Sequence, residues 1–153
     1  MMARWHESLF PTLEELGIGF VAFSPLANGL LTTNYDASSN FDPHSDYRAA
    51  MPQFQKESFD RNQELLQYIL HLADEHHATP SQMSLAWMLC KKPWIVPIPG
   101  TRHLCRLKEN AGASDVRLSH EKILNIDHTL DTMPMSEVFG GSKIVKPHSH
   151  TVN

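Results

Sequence analysis

Two short apolar runs, residues 18–23 (Ile-Gly-Phe-Val-Ala-Phe) and residues 94–98 (Trp-Ile-Val-Pro-Ile), constrain the fold of these 153 residues more than any other feature. Each is too brief for a helix, lacks polar alternation, and is closed by turn residues: Ser24-Pro25 after the first, Pro99-Gly100 after the second. Runs of this kind read as strands of a parallel sheet, covered on both faces. Helical patterns lie before, between and after them. Strands alternating with helices define an α/β class with parallel strands. Two buried parallel strands cannot cover their own faces and edges, so the pattern reads as part of a larger sheet.

The helices carry their own signals. Leu9, Leu13 and Leu16 are spaced for a helix over 9–16, with Pro11 in its first turn and Gly17 as a left-handed stop. Leu65, Leu66, Ile69, Leu72 and Ala73 form one stripe of a helix over 60–77. Thr79-Pro80-Ser81-Gln82 is a helix start with threonine as cap, proline at the first position and glutamine at the third. The helix it opens is apolar over much of its circumference and stops at Pro93. Further helices are predicted over 104–111 and 119–130, the latter burying Ile123, Ile126 and Leu130. Residues 34–59 are polar, hold Pro43 and Pro52, and read as a long loop with a short helix near 47–50. A connection that long usually serves a function or moves. One domain over 1–133 is expected, followed by an irregular tail over 134–153.

A formal charge of -4 is wrong for a chain that tracks nucleic-acid phosphates, so no nucleic-acid partner is expected. Cys90 and Cys105 stand far apart with no CxxC or CxxH spacing, which fits neither a disulfide framework nor a zinc site. His71 and Glu75 are at i,i+4 but without a third ligand, the pattern of a solvated helix face rather than a metal site. No apolar run reaches membrane-spanning length and residues 1–7 have no signal-peptide pattern, so a cytoplasmic protein without membrane contact is expected.

Two segments carry chemistry, and each follows a predicted strand, where α/β folds bind ligands. In Phe23-Ser24-Pro25-Leu26-Ala27-Asn28-Gly29, an aromatic side chain for ring stacking precedes a tight loop of small residues whose N–H groups suit a diphosphate. In Gly100-Thr101-Arg102 and on to Arg106, Glu109 and Asn110, a loop opens a helix whose N-terminus favours an anion. Arg102 and Arg106 are one helical turn apart, placed to flank a phosphate, and Glu109 and Asn110 are placed to meet an adenine edge. Taken singly, the first segment is also an ordinary core aromatic with a strand-ending turn, and the second a helix with a solvated charged face.

Their combination resembles the aldo-keto reductases. The resemblance rests on residues 16–31 and on Val96-Pro97-Ile98-Pro99-Gly100-Thr101 followed by Arg106-Leu107-Lys108-Glu109-Asn110, with supporting likeness over 54–65 and 79–89. It implies the C-terminal portion of a TIM (β/α)₈ barrel, with residues 18–23 as strand seven and 94–98 as strand eight. By the same resemblance Phe23 stacks on the nicotinamide of NADP, and Ser24, Pro25, Leu26, Ala27 and Asn28 surround the diphosphate. Gly100, Thr101, Arg102 and Arg106 hold the 2′-phosphate, Glu109 and Asn110 meet the adenine, and Arg48 lies near the cofactor.

This chain departs from the family in three places. Thr33-Asn34-Tyr35 stands where many relatives read Gly-Lys-Tyr, and Pro52-Gln53-Phe54 where Pro-Arg-Phe is common, so positive charge is reduced. The family's catalytic aspartate, tyrosine, lysine and histidine come from the first four strands, and neither Tyr35, Tyr47 nor Tyr68 matches the catalytic tyrosine. A whole barrel needs about 250 residues. The resemblance therefore implies an NADP-dependent reductase of aldehydes and ketones, present as a fragment with the cofactor-binding end and no catalytic residue. The alternatives are an NADP-binding module without turnover, as some relatives such as potassium-channel β-subunits largely are, and an assembly partner that pairs with an N-terminal half or with itself.

Overall fold

The structure, a computed structural model, describes residues 4–136. A 3₁₀ turn over Trp5–Leu9 leads into α1 (Phe10–Glu15), then β1 (Phe20–Ala22). Next come α2 (Lys56–Glu75), α3 (Pro80–Lys91), β2 (Ile95–Pro97), α4 (Leu104–Ala111) and α5 (His120–Thr132). The strands pair in parallel, with Phe20 opposite Ile95, Val21 opposite Val96 and Ala22 opposite Pro97. Bonds from Phe20 N to Trp94 O (2.9 Å) and from Ile98 N to Ala22 O (3.3 Å) frame the ladder. The side of β2 that faces β1 therefore carries residues 94, 96 and 98, and Pro97 costs that ladder no bond.

Local chemistry accounts for the ends of the helices. Gly17, at φ 64°, ends α1, and Ile18 N reaches back to Leu13 O at 2.9 Å. Thr79 Oγ1 accepts from Gln82 N at 3.2 Å while Gln82 Oε1 accepts from Thr79 N at 2.9 Å, the reciprocal cap foreseen for α3. Ser119 caps α5 by accepting from Lys122 N at 3.1 Å. Helix α2 begins at Lys56 rather than at residue 60, because Phe59 is buried against Phe54 in a 3₁₀ turn over Pro52–Phe54. The predicted turn near 47–50 forms as a 3₁₀ turn over Tyr47–Ala50, and the stretch after β1 coils into kinked 3₁₀ turns over Ala27–Thr32.

The core lies where α2, α3 and α5 meet the segment after β1. Leu30, Leu31, Leu65, Ile69, Leu72, Met83, Leu85 and Ile126 are all buried to within 2%. A second apolar group covers the sheet near its start, where Phe10 meets Trp94 edge-on at 5.1 Å and His6 stacks on Phe20 at 5.1 Å. A buried ionic cluster locks residues 4–7 to the helices. Arg4 reaches Glu7, Asp127 and Asp131, and Lys91 bridges Glu7 and Asp127.

One expectation fails. The two strands are covered on one face only: Ala22 and Ile95 are buried, whereas Val21 is 61% and Val96 55% exposed. Phe23 and Ile98 stand open beyond them on the same face by strand alternation. Residues 137–153, most of the predicted tail, lie outside the described residues. No described helix is long and apolar enough to cross a membrane, and the described residues hold no cluster of three metal-ligating side chains.

Candidate functional site

The carboxyl ends of both strands open into one cleft of about 470 Å³. Small-molecule sites generally occupy about 300–1,000 Å³, so the cleft has room for a ligand rather than for a few waters. From the β1 side come Phe23, Ser24, Pro25, Leu26 and Asn28; from the β2 side come Gly100, Thr101, Arg106 and Asn110; Arg48 comes from the long connection. Ten of the thirteen residues predicted to hold a cofactor thus line a single space. Ala27, Arg102 and Glu109 are not on its wall. Arg102 precedes α4 and is exposed, so it does not form with Arg106 the pair on one helix turn that their spacing predicts.

Backbone strain marks the first loop. Ser24 (φ 49°), Ala27 (φ 49°), Asn28 (φ 57°) and Thr33 (φ 59°) all adopt the left-handed conformation, as does Gly29 at φ 101°. Four non-glycine residues held this way within ten positions cost of order 1–3 kcal/mol each, and such strain gathers at ligand sites. Glycine suits position 29, since a Cβ there would stand 3.0 Å from the Tyr35 ring and a φ of 101° strains any other residue. Ser24 lines the cleft, and its Oγ is buried and makes no hydrogen bond, a cost the fold carries. Opposite it, Gly100 lines the cleft, and a Cβ there would meet nothing within 4 Å. The chain's own packing leaves that position open, so the fold alone does not demand glycine.

The long connection supplies a wall that the sequence pattern did not reveal. Arg48 donates from Nε to Asp46 Oδ1 (2.9 Å) and Oδ2 (3.0 Å), and its guanidinium lies 4.8 Å from the Tyr35 ring and 4.7 Å from Phe41. The Asp46 bonds hold that guanidinium above its ordinary pKa. Tyr47 Oη donates to Asn28 Oδ1 at 3.4 Å, so the connection touches the first loop directly. Tyr35, Tyr47 and Asn34 line the cleft and were not singled out as site residues. A polar, proline-broken segment gives no periodicity from which such packing can be read. Asn34 occupies the position where the resemblance has lysine, and it faces the cleft with a neutral amide.

On the other wall, Thr101 Oγ1 accepts from His103 N at 3.1 Å and fixes the entry to α4. Arg106 donates through Nη1 to Glu109 Oε2 at 2.7 Å, and Glu109 Oε1 accepts from Thr79 Oγ1 at 2.7 Å. Burial would raise the Glu109 carboxyl, but the hydrogen bonds from Arg106 and Thr79 and the charge of Arg106 outweigh it and hold the group below its ordinary value. The rim therefore presents a guanidinium whose carboxylate partner is ionised.

Comparison with known proteins agrees with the arrangement of strands and loops. The aldo/keto reductase family model matches residues 1–131. An aldo-keto reductase of Strobilurus tenacellus is 37% identical over 116 residues, 76% of this chain and 34% of that protein. An aldo-keto reductase of Schizosaccharomyces pombe whose name specifies NADP(+) is 39% identical over 137 residues, 85% of this chain and 39% of its own length. The crystal structure of an aldo-keto reductase from Klebsiella pneumoniae in complex with NADPH matches with a TM-score of 0.57 at 21% identity, over 84% of this chain and 36% of that one. That likeness concerns the fold, a TIM-barrel type of α/β structure. The chain spans 34–39% of the length of these curated relatives. With the family model covering residues 1–131 of 153, the chain belongs to the aldo/keto reductase family.

Proposed function

We propose that this chain is the NADP-binding end of an aldo-keto reductase barrel, its strands corresponding to the seventh and eighth, within a domain over residues 1–133. The observation that carries the reading is the single cleft that gathers both strand-end loops, with a buried hydroxyl lacking a partner on one wall and a guanidinium on the other. In this reading Phe23 stacks on the nicotinamide. Ser24, Pro25, Leu26, Ala27 and Asn28 hold the diphosphate, with Arg48 keeping the neighbouring connection in place. Gly100 admits the close approach of a phosphate, Thr101 and Arg106 bind it from the wall, Arg102 reaches it from the exposed turn before α4, and Asn110 meets the adenine with Glu109 beside it. When bound, the cofactor supplies a hydride for an aldehyde or ketone. The proton donor for that reaction belongs to the parent enzyme and is not assigned to any residue of this chain, so the 153-residue chain alone is expected to bind without turnover.

Calorimetric titration of the full chain with NADPH and NADH tests this. Saturable binding with preference for NADPH is expected, and Arg106→Ala should weaken NADPH binding by about tenfold, the scale of one charge-assisted contact. Absence of saturable NADPH binding at high micromolar concentration would remove the proposal. Oxidation of NADPH on adding an aldehyde to the purified chain would remove the part that denies turnover.

A further inference from the structure

Glu109 is placed to do something other than meet an adenine. Its carboxylate is largely withdrawn from solvent, with 16% of the side chain exposed, and it is absent from the cleft wall. Both oxygens are already engaged: Oε2 by Arg106 Nη1 and Oε1 by Thr79 Oγ1, each at 2.7 Å. Ser81, the next residue but one along α3 from Thr79, is buried and lines the cleft beside this group. Thr79 does not move freely, because it is the cap of α3 and its hydroxyl also accepts from Gln82 N.

From this geometry we infer that Glu109 is a positioning residue: anchored by Thr79 on α3, it holds the Arg106 guanidinium at the cleft rim for a phosphate. The inference rests on the NADP reading above and gives that site its means of selecting the phosphorylated nucleotide. Arg106 is half exposed and long, and unheld it would spread over many rotamers, whose loss a ligand would have to offset. One N–H of the guanidinium is spent on Glu109, and the fork geometry of arginine leaves the others available for a second acceptor. A carboxylate near a phosphate also repels it, which would make Glu109 a competitor. Both oxygens already accept a hydrogen bond, one of them from the cation itself, so positioning prevails.

The two roles predict opposite signs, and small fragments read them without any turnover. The probes are adenosine 2′,5′-bisphosphate and AMP, titrated calorimetrically into the full chain. Glu109→Gln is expected to reduce the preference for the bisphosphate by about fivefold to tenfold, the scale of one charge-assisted hydrogen bond, with AMP affinity changed little. Thr79→Val should reduce it in the same direction, and Thr79→Ser, which keeps the hydroxyl, should restore it. Gln82→Ala removes the other half of the cap; it should lower the melting temperature and leave the preference intact, which separates a merely structural role. An increased preference in Glu109→Gln would show competition and overturn the proposal. An unchanged preference in both Glu109→Gln and Thr79→Val, with the wild type still discriminating, would overturn it while sparing the NADP reading. A wild type that does not discriminate between the probes would defeat both.

Discussion

Ser24 carries two costs within the fold, a left-handed backbone and a buried hydroxyl without a partner. Its φ of 49° is a conformation that L-residues avoid at a cost of roughly 1–2 kcal/mol. Its hydroxyl is buried without a partner, which costs about 1–3 kcal/mol more. Removing that hydroxyl in Ser24→Ala should therefore leave thermal stability unchanged or raise it, while NADPH affinity falls. Melting curves and titration of the same preparation check both signs, and a variant that loses stability and keeps affinity would show that the hydroxyl serves the fold. The place of Ser24 on the cleft wall was legible because it follows a strand and precedes a proline. That its hydroxyl is orphaned was not, since hydrogen bonding depends on what the fold packs above it.

At the scale of elements, legibility followed local chemistry. The α3 cap, the Gly17 stop, and the buried stripe Ile123, Ile126 and Leu130 in α5 all arise from neighbours within a few positions, and all formed as read. The first turn of α2 was missed because it is made by Phe59 packing on Phe54, outside any helical repeat. The end of α2 was equally opaque. His77 takes the left-handed conformation at φ 51° that Gly17 takes after α1, and Ala78 N reaches Ala73 O at 2.9 Å to close the motif. A histidine there carries a Cβ penalty that glycine does not. His77→Gly is accordingly expected to stabilise the chain by about 1 kcal/mol, the left-handed penalty less glycine's added unfolded-state entropy. Urea unfolding measures this as a higher midpoint at unchanged slope, and a lower midpoint would mean that the imidazole makes a compensating contact.

Over the whole molecule, two features govern stability and association. The cluster of Arg4, Glu7, Lys91 and Asp127 ties the start of the described chain to α3 and α5 in a site where each side chain is at most 15% exposed. Burial would raise the Glu7 carboxyl, yet hydrogen bonds from Arg4 and Lys91 and their charges lower it below its ordinary 4.5. A lowered carboxyl contributes stability above pH 4.5 that fades as pH falls through its folded value. Glu7→Gln, which keeps one acceptor oxygen, should thus cost roughly 1–3 kcal/mol near neutral pH, and the gap from wild type should close in acid. Denaturant midpoints at several pH values measure that gap; one that stays constant from neutral pH to below 4 would mean that the charge of Glu7 contributes nothing. His6, whose imidazole is pushed below its ordinary 6.5 chiefly by burial, erodes stability as pH falls below 6.5, in wild type and variant alike. The second feature is the open sheet. The reading of two strands covered on both faces went wrong because apolar content reports what a surface needs, not whether a partner is present. Val21 and Val96 are opposite each other in the ladder and exposed, and Leu104 and Leu107 are 67% and 55% exposed on α4. Two unpaired strand edges adjoin this apolar surface among the described residues. The purified chain should therefore show a mass that rises with concentration above its 17.4 kDa monomer in light scattering. Replacing the facing pair by Val21→Lys and Val96→Glu places opposite charges across the ladder, which the pairing tolerates and an apolar contact does not. The double variant should return the mass towards 17.4 kDa with its helical circular-dichroism signal retained. A wild-type mass that stays at 17.4 kDa across the concentration range would show that the open face does not drive association.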